Sequence, residues 1–476
     1  MDYNRNMKNN HVQVPTRDKI GYGIGDFGNA TAMQIISSYF VFFMTAVLGM
    51  PGTIAGLAVG ISVFWDAFTD PIMGFFSDYT KSIRFGRRHL YILIGMIGVS
   101  SSILVLFNIP VEMSLQAKTI TVFAFIIVYK TFTTMMLTPY AALGSELVKD
   151  YNERTRIQSI RSIFFMMGII STVALGMALF FKATPDYAIG QLNPMAYRTM
   201  SIFFVGLIIT VTLTTYLSTK KYIPHLNQFI IKEPRPKLSW KVFLTLLEPL
   251  ANKAFVAVAV CYALINMASA FVNSVGIHVF TFTFGFSSTL IATVLGVQMV
   301  FSIVSQPLWI YLVKRYSKQA GIKIGLAVAL IGSLYFVMLV LMNQSVQGEV
   351  IYFIPYAIIV GSGTGALFTI PYSMVSDTID FDEIKRGVRK EGAYFGCVTF
   401  MYKMAQAGAI FLIGIMIDVI GFDPKLPIQS ETTQMYLGAI LSVGVILSFL
   451  ASAYSISKFP LSKEETLDIQ QKLMEH

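Results

Sequence analysis

The sequence predicts an all-α integral membrane protein of twelve transmembrane helices arranged as two six-helix halves. Three observations predict it: an apolar composition, helix-length apolar windows that recur along the chain, and an uneven distribution of Lys and Arg between alternate loops. Of 476 residues, 55% are hydrophobic and 13% charged, and the mean hydropathy is +0.63. Soluble globular domains are far more polar. A helix rising about 1.5 Å per residue needs roughly 20 apolar residues to cross about 30 Å of hydrocarbon. The alternating pattern of barrel strands is absent, so helices must satisfy the backbone in lipid.

Apolar runs and their breakers place spans near 20–48, 52–78, 89–109, 119–146, 158–181, 199–218, 250–283, 287–313, 321–342, 350–378, 391–418 and 433–456. Each gap carries a charge cluster or a turn signal, such as Gly49 with Pro51-Gly52, or Asn343-Gln344. The polar first 19 residues lack the apolar core of a secretory signal, so the first span is expected to start insertion. With both termini in the cytoplasm, 29 of the 36 Lys and Arg fall on cytoplasmic segments and 4 on external ones, leaving Lys130, Arg161 and Lys403 inside spans. This asymmetry accounts for the net charge of +10 without a nucleic-acid partner. Cys261 and Cys397 both lie in apolar segments and read as small buried side chains, with no disulfide framework or metal cluster.

The expected organisation is a cytoplasmic tail (1–19), an N-terminal bundle (20–218), a central cytoplasmic loop (219–249), a C-terminal bundle (250–456) and a second tail (457–476). The halves echo each other 236 residues apart, pairing Gly49 with Gly285, Gly60 with Gly296 and Pro71 with Pro307. "TPYAALGSE" (138–146) and "IPYSMVSDT" (370–378) follow at an offset of 232. Duplicated halves that move about a site near the midplane are a transporter pattern.

Within "FWDAFTDPIMGFFSD" (64–78), Asp66 and Asp70 stand four residues apart, and so on one face of the second span. No base occurs between 52 and 80 to neutralise them. A charged side chain at mid-membrane costs about 2.5–3.5 kcal/mol on insertion scales. The pair therefore calls for a bound cation, a proton, water or a distant base. Thr69 adds an oxygen beside them, and oxygen ligands suit a hard monovalent ion. Lys403 reads as an ion-pair partner of this site or as a solute contact. Arg161, with a planar donor fork suited to vicinal hydroxyls, reads first as a solute contact and otherwise as a tie between helices through Asp66 or Asp70. Lys130 answers an acid or faces an anionic solute group, and Asp26 is structural or solute-facing. The run "GIGDFG" (23–28) fits G-x-G-x-x-G, but a polar tail precedes it and a spanning helix follows, so close helix approach explains it better than a dinucleotide. The cluster Gly74, Asp78, Arg84, Arg87 and Arg88 between spans two and three is expected to tie helix ends together in one conformer and release them in another.

Taken together, "GYGIGDFG", "WDAFTDPIMGFFSD", "NERTRIQSIR", "MVSDTIDFDE" and "TFMYK" make the chain resemble the glycoside-pentoside-hexuronide:cation symporters of the major facilitator superfamily, over about 20–456. The resemblance implies that Asp66, Thr69, Asp70 and Thr134 bind the coupling cation. It places Arg161, Lys403, Thr399 and Phe368 at the solute; Lys130, Asp26, Asn29 and Tyr140 complete the solute candidates of this chain, and Asp377 joins the gating residues. The family's melibiose permease has Lys-Asp where this chain has Asn29-Ala30, an Asp and a Trp where it has Leu137 and Ala141, and an Asn in place of Thr69. These departures, with Lys130, favour an acidic sugar such as a hexuronide over a neutral galactoside.

The expected function is uptake of a sugar-like solute with Na⁺ or H⁺, Li⁺ being a third option, by a monomeric carrier in the cell membrane. No chemical reaction, cofactor or metal beyond the coupling ion is called for. The alternatives are a transport-inactive sensor and a carrier of a non-sugar amphiphile such as a lysolipid.

Overall fold

The computed structural model describes residues 14–80, 82, 85–148, 151–226, 247–387 and 390–475. Arg84, residues 1–13 of the first tail and most of the 219–249 loop lie outside that set. Among the described residues there is no strand, and eleven helices are long and apolar enough to cross a membrane. They coincide with the second to twelfth predicted spans. The first span is helical as well, but segmented into Thr16–Gly23, Gly25–Ile35 and two π-helical turns, Ile36–Phe40 and Phe43–Val47.

The internal duplication is written into the backbone. The seventh span, Lys253–His278, also ends in a π turn, Val279–Thr283, 236 residues after Phe43–Val47. The closing bonds repeat too. Leu48 N–H donates to Phe43 O at 2.9 Å and Met50 N–H to Met44 O at 2.9 Å, while Phe284 N–H donates to Val279 O at 3.2 Å and Phe286 N–H to Phe280 O at 2.9 Å. A glycine in the left-handed region then turns the chain in each copy, Gly49 at φ 66° and Gly285 at φ 62°, a conformation that costs glycine nothing sterically.

Helix ends depart from the predicted spans where charge continues a helix past its apolar part. The tenth span was expected to stop near 378, yet the helix runs Phe353–Arg386 and closes on Gly387 at φ 70°. The fifth begins at Tyr151 rather than 158. Hydropathy marks the hydrocarbon-facing length, whereas capping residues mark the end of the helix.

The chain divides into two compact units. The first comprises the chain before Ser37, Phe68–Gly176 and the chain from Tyr197 to the central loop; the second comprises Ser37–Ala67, Met177–Ala196 and the chain after that loop. The second unit thus takes in part of the N-terminal half, and a row of small residues shows why. Along the second span (Gly52–Asp78) and the eleventh (Glu391–Val419), a Cβ added to Gly52 would fall 2.5 Å from Gly414 O, one on Gly56 2.7 Å from Ile410 O, and one on Gly60 3.1 Å from Ala407 O. Small residues at a spacing of four let two membrane helices meet backbone to backbone. The contact is sealed at its end by Asp418, which accepts from Gly52 N–H at 2.5 Å and Thr53 N–H at 2.7 Å and so serves the otherwise orphaned amides of a helix N-terminus.

Gly56→Leu is expected to force these helices apart at a cost of about 1–3 kcal/mol, the usual range for overpacking. Thermal unfolding of the detergent-solubilised protein reads this as a lowered Tm. Gly408→Leu, on the same eleventh span but with nothing within 4 Å of an added Cβ, is expected to leave the Tm unchanged.

Candidate functional site

In the first unit, the second and fourth spans bring three oxygens together. Thr134 Oγ1, on the helix Leu115–Leu147, donates to Asp70 Oδ1 at 3.0 Å and lies 3.3 Å from Thr69 Oγ1. Thr134 is buried, and Thr69 and Asp70 are half-buried. The group carries one carboxylate and two hydroxyls, all hard oxygen donors on neighbouring helices. That set fits a monovalent cation, and the carboxylate alone fits a proton. Lys130 is half-buried one turn before Thr134, on the helix face that meets Asp70.

Asp66 belongs to the second unit and is held differently. Lys403 Nζ stands 2.7 Å from Asp66 Oδ2, their side chains being 11% and 12% exposed. Each charge relieves the desolvation of the other, so breaking the pair is costly even though forming it gains little. The two acids predicted to act together stand on consecutive turns of one uninterrupted helix, with Lys403 paired to Asp66 and Thr134 donating to Asp70. Thr399, four residues before Lys403, shares its helix face, and Phe368 on the tenth span is 42% exposed.

The remaining solute candidates assemble in the first unit. Arg161 Nε is 2.6 Å from Asp26 Oδ2, and Asn29 Nδ2 donates to Asp26 Oδ1 at 2.9 Å. The guanidinium sits 5.0 Å from the Tyr140 ring centre, and Tyr140 stacks on Tyr22 at 4.7 Å. Tyr140 and Tyr22 each donate a hydroxyl to the other's carbonyl, at 2.8 and 2.7 Å. Asp26 is therefore answered by Arg161 and Asn29, and Tyr140 contributes its ring while its hydroxyl is engaged. Arg161 Nη1 also donates to Gln158 Oε1 at 3.1 Å.

The loop cluster forms an ion-pair network on an acid the sequence did not single out. Glu146 Oε1 accepts from Arg87 Nη2 at 2.7 Å and from Arg88 Nε and Nη2 at 2.9 and 2.7 Å. Arg88 also reaches Asp78 Oδ1 at 2.5 Å and Ser77 Oγ at 2.5 Å. A Cβ on Gly74 would meet only the Thr138 methyl, at 3.8 Å. In the other half, Lys318 Nζ lies 2.8 Å from both oxygens of buried Asp377. These are repeats of one device: a base at the start of the third or ninth span grips an acid near the end of the fourth or tenth. At the 232-residue offset Glu146 aligns with Thr378, one residue from Asp377, and that slip hides the equivalence in sequence.

Glu146→Gln is expected to lower stability by about 3 kcal/mol, since both arginines are buried and lose their shared anion. Asp377→Asn is expected to cost less, because the Lys318 side chain is 32% exposed and can reach water. Paired thermal melts check the order.

Residues 21–463 match the family described as MFS/sugar transport protein. The chain is 25% identical to the uncharacterized symporter sll1374 of Synechocystis, covering 96% of each chain. It is 26% identical to a putative sulfoquinovose importer of Escherichia coli strain K12, over 91% of this chain and 88% of the relative. Among solved structures, a mutant of the nucleoside transporter NupG superposes with a TM-score of 0.64 at 15% identity, covering 91% of this chain and 99% of that one.

Proposed function

Because the chain belongs to the family of MFS/sugar transport proteins and is a multi-pass membrane transporter rather than an enzyme, we propose that it imports a sugar-like solute coupled to Na⁺ or H⁺. The observation that carries this reading is the Asp70, Thr134 and Thr69 oxygen cluster, one helical turn from the Asp66–Lys403 pair. A cation entering at Asp70 places positive charge next to Asp66 and competes with Lys403 for it. Lys403, loosened from Asp66, then turns to a solute oxygen on the face it shares with Thr399. Binding of either ligand thereby prepares the site for the other, and linkage makes the two effects equal. With both termini cytoplasmic, Glu146 holds the inner ends of spans in the first unit and Asp377 those of spans in the second, and remaking such helix-end contacts accompanies a change of access.

Lys130 beside this cluster supports an acidic solute, and the relative named for a sulfo-sugar is in keeping with that. The test is counterflow in proteoliposomes with labelled glycosides, pentosides and hexuronides, under imposed Na⁺, Li⁺ and pH gradients. The expected outcome is exchange of at least one sugar, accelerated by one gradient. Binding without exchange would mean a sensor. Lys130→Met is expected to abolish exchange of acidic solutes while sparing neutral ones, and equal effects on both would remove the acidic preference.

A further inference from the structure

Exposed faces of the spans in the second unit are mostly aliphatic. The large exposed side chains of the ninth (Lys318–Leu341) are Ile324, Ile331, Leu334, Met338 and Leu341, and the middle of the twelfth (Glu431–Ser457) exposes Val443, Leu447 and Leu450, its exposed Tyr436 and Tyr454 standing towards the two ends. Such faces suit lipid. The tenth departs from this in mid-helix, where Phe368, Thr369, Tyr372 and Ser373 are exposed on successive turns. Hydroxyls turned to hydrocarbon are costly, so this face meets water.

Tyr372 does not stand alone. Its ring lies 5.7 Å from that of Tyr262 on the seventh span, which in turn meets Tyr402 on the eleventh, edge to face, at 5.6 Å. One turn further along these two helices, Gln406 Nε2 donates to Asn266 Oδ1 at 3.3 Å, and Asn266 Nδ2 donates back to Tyr262 O at 2.9 Å. Asn266 is buried and oriented by these bonds, which leaves the Gln406 carbonyl without a partner among the described residues. Three helices of one unit thus present aromatic rings, a hydroxyl and an oriented amide together. The nearest charge on the eleventh span is Lys403, adjacent to Tyr402 in sequence, and Asp66 neutralises it.

We propose that Tyr262, Asn266, Tyr372 and Gln406 form a solute subsite that takes an uncharged glycosyl ring. The inference rests on the reading of the protein as a sugar carrier. The apolar C–H face of a pyranose or furanose packs on the tyrosine rings, and its vicinal hydroxyls pair with the Gln406 amide and the Tyr372 hydroxyl. The four residues themselves are uncharged and offer the solute rings, a hydroxyl and amides.

The test uses the full-length protein in proteoliposomes. Cysteine introduced as Tyr372→Cys and Ser373→Cys is treated with a small hydrophilic, anionic methanethiosulfonate, with Leu334→Cys as the lipid-facing control and the buried Cys261 and Cys397 as background. The expected result is modification of both test positions and not of the control, slowed by whichever sugar supports counterflow. Gln406→Leu is then expected to weaken binding of that sugar about tenfold, equivalent to about 1.4 kcal/mol, while the factor by which the coupling cation changes sugar affinity stays the same. Absence of labelling at both test positions would make this a lipid face and overturn the proposal, as would labelling that no transported sugar slows. If the protein exchanges no sugar at all, the carrier reading fails first. Loss of the cation factor in Gln406→Leu would instead place that residue in the ion site.

Discussion

Lys403→Met is expected to lower the stability of the protein by about 3–5 kcal/mol, because it strands the Asp66 carboxylate in a nearly dry site. The two side chains are 2.7 Å apart and almost equally buried, so neither can turn to water when its partner is lost. Asp66→Asn alone strands the ammonium and is expected to be similarly damaging. The double variant, Asp66→Asn with Lys403→Met, removes both charges and is expected to recover most of the lost stability, leaving a coupling energy of several kcal/mol in a double-mutant cycle. Thermal unfolding in one detergent measures all four forms. Additive losses would mean that the pair is not an energetic unit. Recovery of stability without recovery of cation-driven uptake is the expected functional result, since the fold tolerates an apolar pair and the coupling step does not.

Asp70→Asn is expected to abolish cation-driven accumulation while sparing solute exchange. The carboxylate is the one charged member of its cluster with Thr134 and Thr69. An amide keeps the shape and can still accept from Thr134, so the fold is expected to survive. A cation, by contrast, loses the counter-charge that offsets its dehydration. The apparent cation affinity is expected to fall by at least about a hundredfold, a change of about 2.8 kcal/mol. Thr134→Val removes one neutral ligand and is expected to give a weaker version of the same phenotype. Uptake in proteoliposomes with and without an imposed gradient separates accumulation from exchange.

Much of the architecture was legible because hydrocarbon is a demanding solvent. A run of apolar residues of sufficient length has few alternatives to a spanning helix, and the spans from 52–78 to 433–456 appear where hydropathy placed them. The repeat was legible from Gly49 and Gly285, since positive φ restricts the residue that can stand there. The segmented first span was not, because a π turn leaves no mark in hydropathy. Nor did the candidate acids announce their partners. Asp66 meets Lys403 across 337 residues of sequence and Asp70 meets Thr134 across 64, and helix spacing says which face a side chain occupies without saying what packs on it. Arg161 was read first as a solute contact, yet Asp26 and the tyrosine pair hold it in place. Glu146 and Asp418 went unremarked because an acid at a helix end looks in sequence like ordinary solvated charge.

The most direct test of the account is calorimetric titration of a transported sugar into the purified protein across a series of Na⁺ and Li⁺ concentrations and pH values. If the Asp70 cluster couples ion to solute, one cation will tighten sugar binding by a factor of about 5–150, the sugar will tighten that cation by the same factor, and Asp70→Asn will erase both. Sugar affinity that stays constant across all three cations in the wild-type protein would contradict it.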